Sequence, residues 1–461
     1  MNINPKTKEA YRLFHEGALA FARAERQGLR VDIEYIERKK RVLTRKIERL
    51  ETEFKDSALF RHWQHTVRGK ININSNPQLA YFLYKVKKIK IEKETYSGQG
   101  ATDDEALRQM NIPELENLLQ IRKLRKVRDT YLGAFAREQV NGYVHPFFNL
   151  NMAATFRSSS DSPNFQNIPM KDEESMQICR RALFPRPGHQ LLEIDFKGME
   201  VSANACYNHD PTLIKYLFDP KSDMHADMAH QIYKVNNFNK SLPEHYTLRQ
   251  AAKNSFVFPE FYGSYYKNCA IGLLCTWGKL SQGRFHPGEG IPMPEGTLAD
   301  HLIKVGLSSF NAFESHLKKI EDSFWKERFV VYADWKKSWY NTYKKRGYID
   351  LLTGFRCSGV MDSKQVCNYP GQGTGFHCLL WSFNDLDRTM IKEDWDTRLV
   401  SQIHDSVILD VDPKELNSVI DTVQEITTVR LAEHWPWIIV PMKVDMELAP
   451  VDGSWAEKVE I

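Results

Sequence analysis

The sequence contains no run of eighteen apolar residues, the length a membrane-spanning helix needs. WPWIIVPM at 435–442 is far too short, and the N-terminal MNINPKTKEAYRLFHEG lacks the apolar core of a signal peptide. Only seven cysteines occur in 461 residues, an odd number without CxxC pairing. That scarcity predicts reduced thiols and a cytoplasmic protein. Cys206, Cys269, Cys275 and Cys378 sit among apolar neighbours and read as core filler. No GxxxxGK[ST] loop exists, so GQGTGF at 371–376 does not predict an ATPase. HADMAH at 225–230 is not HExxH, which argues against zinc. Internal repeats and low-complexity segments are also missing.

What is present is a globular composition, with 42% hydrophobic, 26% charged and 12% aromatic residues. The length exceeds one compact core and predicts two or three structural units. The net charge of +4 hides an uneven distribution. Residues 1–140 carry 29 Lys/Arg and 19 Asp/Glu, a balance of +10, and the other 321 hold 34 and 40, a balance of −6. Such asymmetry suits one region that holds a polyanion and another that holds cations. Two solvated helical faces would give the same count.

Residues 33–55 place Ile36, Val42, Leu43, Ile47 and Leu50 at helical spacing, opposite Arg38, Lys39, Lys40, Arg41, Arg45, Lys46 and Arg49. Residues 114–137 repeat the pattern, with Leu118, Ile121, Leu124, Val127, Tyr131 and Phe135 against Arg122, Lys123, Arg125, Lys126 and Arg128. Two long basic amphipathic helices are expected to form an antiparallel arm whose polar face neutralises phosphates. ININSNPQL at 71–79 would lie near its tip. Beyond residue 146, strand-like runs at 190–194, 397–404 and 407–411 alternate with helical stretches. Residues 224–355 read as mostly helical, with a surface loop at 282–296. The class is α+β.

LLEIDFKGME drives a strand into Asp195, and SQIHDSVILDV places Asp405 at the turn of a hairpin. Carboxylates on neighbouring strands can hold two divalent cations about 3.5–4 Å apart, and hard oxygen ligands suit Mg²⁺. Both could equally be unrelated turn or cap residues. In LRQAAKNS, Arg249 and Lys253 stand one turn apart on one helical face, a pairing that repels unless a polyphosphate lies along it. A solvated basic face is the plainer alternative. FVFPEFYG then supplies aromatics that could stack on a base or pack a core.

Taken in order, ATFRSSSDSPNFQNIP (154–169), LLEIDFKGMEVSANA (191–205), RQAAKN through FYG (249–263), NYPGQGT (368–374) and SQIHDSVILDV resemble the motifs of family A DNA polymerases. The resemblance runs from about residue 15 to the C-terminal VPMKVDMELAPVDGSW. It implies a right-hand fold: 1–34 leading into the palm, 35–145 the thumb, 146–223 palm, 224–355 fingers and 356–461 palm. It implies template-directed addition of dNMP to a primer 3′-hydroxyl with release of pyrophosphate. Its partners would be primer–template DNA and dNTPs, with no membrane, and its cofactors two Mg²⁺ ions, with Mn²⁺ as a substitute.

By the same resemblance, Asp195 and Asp405 match the metal-binding aspartates, and Phe196 would offer its carbonyl to one metal. Arg249 and Lys253 match the cations that grip the triphosphate, with Lys253 also placed to protonate the leaving pyrophosphate. Arg180 and His225 would add triphosphate contacts. Arg157, Gln372 and His404 match groups at the primer terminus and minor groove, and Asn368 and Lys364 match template-side positions. The cations of the arm, Arg122, Lys123 and Lys126 among them, would contact DNA. Glu200, hydrogen-bonded to Tyr262, would close the pocket against a ribose 2′-hydroxyl.

Three departures from the family pattern stand out. One extra residue separates Lys253 from Phe258, and Pro259 follows it; a bulge or kink is expected there, with Phe258 as the base-stacking aromatic and Phe256 its competitor. Lys197, Gly198 and Ser202 replace more typical choices after Asp195. The motif His-Asp-Ser at 404–406 is shared with single-subunit phage RNA polymerases, which makes RNA synthesis a distant alternative. A DNA-binding replication factor that keeps only the fold is another. The match starts almost at Met1, implying a polymerase module without a proofreading exonuclease, or a fragment of a longer chain, and suggesting a phage type.

Overall fold

Alternating apolar residues in QLLEIDF and SVILDV build the centre of the molecule. The computed structural model describes residues 7–461 except 68–69, 92–93, 96–97, 111, 171, 237, 240 and 279, and the side chains of 109 and 275. A five-stranded antiparallel sheet is formed by β1 (Gln190–Phe196), β2 (Arg398–Ile403), β3 (Ser406–Val411), β4 (Val444–Leu448) and β5 (Val459–Glu460), in the order β2-β3-β1-β4-β5. Successive side chains leave a strand on opposite faces. Leu192, Ile194 and Phe196 of β1, with Val407, Leu409 and Val411 of β3, enter a core shared with the helix Ser363–Lys392. Leu191, Glu193 and Asp195 alternate with them.

The glycines of GQGTG explain how that long helix lies so close. A Cβ on Gly371 would stand 2.5 Å from Asn204 Oδ1, and one on Gly373 2.6 Å from the Thr155 carbonyl oxygen. The glycine run is therefore a packing face toward the helix Met199–Asn208 and the segment around Thr155.

The arm forms as the periodicity predicts. Asp32 caps the helix Ile33–Lys55 by accepting the Tyr35 N–H at 2.8 Å. The helix Pro113–Arg125 packs against it and continues through a wide turn, Lys126–Leu132. Arg128 Nη1 reaches Thr44 Oγ1 at 3.1 Å and Arg125 Nη2 reaches Glu51 at 2.5 Å, which fixes an antiparallel pairing. Val42 does not join the apolar seam. It is 50% exposed, because a 100° step from Leu43 carries it off the buried stripe.

A separate core is enclosed by the helices Pro243–Ala252, Tyr266–Thr276, Phe310–Ser323 and Val330–Arg346, around Phe256, Phe261, Trp277, Phe324 and Tyr332. Residues 282–296 are irregular, with a two-residue ladder of Pro292–Met293 on Gly296–Thr297 and a buried Phe285. Cys206, Cys269 and Cys378 are buried and unbridged, and the Cys275 side chain lies outside the described residues. Among the described residues, no helix is long and apolar enough to cross a membrane. The architecture is a helix-rich α+β fold with small antiparallel sheets.

Candidate active site

Two local rules bring Asp195 and Asp405 together. Asp195 is the penultimate residue of β1, and Asp405 is half of the two-residue turn between β2 and β3. The partner residue His404 has φ 51°, the left-handed conformation such tight turns use. Antiparallel register sets Ser406 opposite Asp195, and the Phe196 N–H donates to the Asp405 carbonyl oxygen at 3.0 Å. Burial, reinforced by the charge of Asp405 and then of Glu193 and Asp445, pushes the Asp195 carboxyl up to about 6. Burial also raises Asp405, with Arg157 pulling the other way. The charge of Asp405 thus disfavours ionisation of Asp195, an effect that a cation beside both would reverse.

Asp445 was not singled out in the sequence. On β4 it stands directly opposite Asp195, on the other side from Ser406, and pairs with Lys197. Only the strand register reveals it, and VPMKVDMEL carries no turn or spacing signal that would. Ser406 itself is buried, and its hydroxyl donates to the Ile403 carbonyl at 2.9 Å, so it turns back into the hairpin.

Glu200 lies in the first turn of the helix Met199–Asn208. The Tyr262 hydroxyl donates to its Oε2, the expected contact. Arg157 Nη1 donates to Oε1 at 3.0 Å, and Arg157 Nη2 stands 3.6 Å from Asp405. Burial raises the Glu200 carboxyl, and Tyr262 and Arg157 hold it down. Arg157 therefore bridges the two acidic positions. Its loop is tied to the hairpin by Ser158 Oγ donating to Gln402 Oε1 at 2.5 Å and by Gln402 donating to the His404 carbonyl. His404 keeps an exposed side, while partial desolvation of its imidazole and the charge of Arg157 hold it below its usual range.

Facing these groups is the helix Pro243–Ala252. Arg249 Nε donates to Asp223 Oδ2 at 2.8 Å. Lys253 is lowered by burial first and by Arg249 second, while Asp195 pulls it back up. His225 is pushed down to about 4 by burial, Arg249 and Lys253, and its buried Nδ1 has no protein partner. The extra residue after Lys253 is absorbed as a wide turn, in which the Phe258 N–H reaches back five residues to the Lys253 carbonyl. Pro259 then falls at the start of the short helix Phe258–Phe261, where a missing N–H costs little. Phe258 is partly exposed beside Lys253 Nζ (5.4 Å) and His225 (5.6 Å), whereas Phe256 is fully buried. The competitor is a core residue.

Asn368 Nδ2 donates to the Tyr262 carbonyl at 3.0 Å, and Lys364 lies beside Gly263. Both line a pocket of about 300 Å³ next to Tyr262. Gln372, partly exposed, follows them on the long helix. Phe196 keeps its ring in the core, leaving only its main chain near the aspartates.

Three expected contacts are corrected. Arg180 is 4% exposed, its guanidinium 4.1 Å above the Trp455 ring and 3.7 Å from Glu193, so it is enclosed away from any triphosphate. Arg122 donates to the Thr102 carbonyl and to Asn76, and Lys123 is paired with Asp172 and Glu174. Those two half-buried cations are held by acceptors of the protein itself. Lys126 is exposed, as are Arg38, Arg41, Arg45 and Arg49 on the facing helix.

Against this geometry stand the comparisons. The sequence profile of DNA polymerase family A matches residues 33–457. The chain belongs to DNA polymerase family A. Its family A relatives include DNA polymerase I of Chloroflexus aurantiacus, 25% identical over 454 residues, covering 94% of this chain and 41% of that protein. The thermostable DNA polymerase I of Thermus aquaticus is 26% identical, covering 93% and 45%, and that of Bacillus subtilis is 26% identical, covering 95% and 44%. The chain thus spans less than half the length of these curated relatives. The POL domain of Pol1 from M. smegmatis, solved in complex with DNA primer-template and dNTP, superposes with a TM-score of 0.73 at 21% identity, covering 96% of this chain and 70% of that one. That likeness gives the family A fold.

A separate grouping, His189, Asp396 and Asp412, lies at the far ends of the same strands. Six residues of β1 put it about 20 Å from Asp195, and Asp396 there is paired with Arg186.

Proposed function

We propose that the chain is a template- and primer-dependent DNA polymerase that adds dNMP to a primer 3′-hydroxyl and releases pyrophosphate. The observation that carries this is the convergence of Asp195 and Asp405 at one end of the sheet, facing the helix of Arg249 and Lys253. The sheet with its flanking segments is the palm, residues 224–355 the fingers and 35–145 the thumb.

The donor set fits divalent cations: two carboxylates that repel one another, no sulfur, and the Phe196 carbonyl nearby. Two Mg²⁺ ions, with Mn²⁺ as a substitute, would be held by Asp195 and Asp405 and would supply stabilisation of the attacking and leaving oxygens. The residues do the remainder. Arg249, anchored by Asp223, and Lys253 hold the triphosphate along one helical face, and the unpartnered His225 Nδ1 faces the same charge. Phe258 offers a stacking face to the incoming base. As the primer O3′ gives up its proton to water and bonds to the α-phosphorus, the bond from that phosphorus to pyrophosphate breaks. Lys253, with its proton loosened by burial, delivers that proton to the leaving group. Arg157 and His404 flank the primer end, with Gln372, Asn368 and Lys364 toward the template. The Glu200–Tyr262 contact occupies the space a 2′-hydroxyl needs, which favours DNA over RNA synthesis.

The curated relatives named are bacterial, so the phage type and a host-cell location gain no support from them. Extension of a labelled primer on a template, with dNTPs and with or without Mg²⁺, tests the reading. Metal-dependent extension is expected. DNA binding without extension would instead favour a replication factor that keeps only the fold, and extension with rNTPs alone would favour RNA synthesis.

A further inference from the structure

Behind the nucleotide-facing side of the fingers, one carboxyl group is fully enclosed. Glu260 is 1% exposed. Its Oε2 accepts the Trp325 indole N–H at 2.8 Å, and its Oε1 accepts the Cys269 thiol at 3.4 Å. Its carbonyl oxygen accepts from Lys336 Nζ at 3.3 Å, and that ammonium lies 3.8 Å over the Trp325 ring. Glu321, near the end of the helix Phe310–Ser323, accepts the Tyr266 N–H at 2.8 Å, so both carboxyls meet the start of the helix Tyr266–Thr276, Glu260 at Cys269 and Glu321 at Tyr266.

Two carboxyls gathered at one helix end, one without solvent, do not both ionise readily. Burial, with the charge of Glu321 added, pushes Glu260 up to about 7, and burial raises Glu321 as well. A single shared proton satisfies the pair. The other charged or titratable groups facing it are Asp322 and Lys318 on the helix of Glu321, Cys269 on Tyr266–Thr276, and Lys336 on Val330–Arg346, with Cys367 behind Lys336. Burial pushes Lys336 down to about 8, so this counter-charge fades over the range in which the shared proton leaves.

The location decides the consequence. Glu260 precedes Tyr262 by two residues, and Tyr266, held by Glu321, follows it by four. Between them Gly263 turns the chain at φ 82°. We propose that Glu260 is a positioning residue for sugar selection, its proton-sharing contact with Glu321 bracing the corner that presents the Tyr262 hydroxyl to Glu200. This rests on the DNA-polymerase reading of the same site. When the shared proton leaves, two carboxylates oppose each other at the corner. Tyr262 then meets Glu200 less often, and the space for a 2′-hydroxyl opens.

The test is the ratio of kcat/KM for a dNTP to that for the matching rNTP, measured on one primer–template with the full chain across neutral and alkaline pH. The ratio cancels titrations of the primer hydroxyl, the metal site and the triphosphate grip, which both nucleotides share. The wild type is expected to lose about tenfold in discrimination through about pH 7–8, the worth of one hydrogen bond to a charged group. Glu260→Gln, whose amide keeps a donor toward Glu321 at every pH, should hold its discrimination flat. Glu321→Gln, at the less buried partner, should do the same and serves if the first variant does not fold. A wild-type ratio independent of pH, or variants that keep the wild-type slope, would overturn the proposal. Absence of dNTP incorporation by the wild type at every pH is a different result, and it would overturn the polymerase reading together with the proposal built on it.

Discussion

The hydroxyl of Tyr262, just past the short helix Phe258–Phe261, donates to the carboxylate of Glu200 in the first turn of the helix Met199–Asn208. Sixty-two residues separate them in sequence. The contact joins those two helices, and Arg157 extends it to Asp405.

Removing one side of that contact should show in nucleotide choice. Tyr262→Phe leaves the ring and deletes the donor, and Glu200→Ala deletes the acceptor. Each is expected to lower discrimination against rNTPs by about tenfold or more, since hydrogen bonds to charged groups contribute about 1.5–3 kcal/mol. Single-nucleotide incorporation kinetics with both sugar types measure it. Unchanged selectivity in both variants would remove the gate.

The aspartate pair is expected to make divalent-cation binding pH-dependent. Asp195 is raised to about 6 in the folded, metal-free chain, from an ordinary value near 3.8. A carboxyl raised in the folded state favours folding at low pH, and that stability is lost as pH rises through about 6. A divalent cation restores it by taking the place of the proton. Added Mg²⁺ should therefore raise the melting temperature more at pH 8 than at pH 5, and Asp195→Asn should lose most of the difference. Thermal melts at both pH values, with and without metal, check this.

On the two-helix arm, exposure separates cations that can meet phosphate from cations that cannot. Charge removal at Arg41 or Arg45 should reduce the slope of log K against log salt for DNA binding by about one per side chain. Lys123→Ala should leave the slope nearly unchanged and instead destabilise the fold, because Lys123 ties the arm to Asp172 and Glu174. Salt titrations of duplex binding decide between them.

The glycine run on the long helix should tolerate no side chain where it meets main chain. Gly373→Ala would bring a Cβ within 2.6 Å of a backbone oxygen, which cannot swing aside. A loss of about 1–3 kcal/mol is expected, the usual cost of overpacking. Denaturant unfolding measures it.

What the sequence revealed was local. Strand alternation into Asp195 and the hairpin turn at Asp405 depend on neighbours a few residues away, and both formed where the pattern put them. The extra residue before Phe258 could be read as a bulge because helical spacing has to be restored within a turn. Partners distant in the chain were another matter. Arg180 looked available for phosphate until Trp455, far along the chain, closed over it. Arg122 and Lys123 lay on a helical face that reads as solvated, but acceptors from other segments use them. Asp445 carried no local signal, since strand register alone brings it opposite Asp195. Val42 shows the limit on spacing itself, one position off the stripe being enough to expose it.

The most direct test of the central claim is Asp405→Ala, assayed in parallel for primer extension and for primer–template binding. Two carboxylates holding the catalytic metals predict that dNTP incorporation falls by about a thousandfold or more, with several kcal/mol of transition-state stabilisation removed. DNA affinity should stay within a few-fold of the wild type. A variant that extends primers at the wild-type rate would contradict the assignment of Asp405, and with it the account of the site.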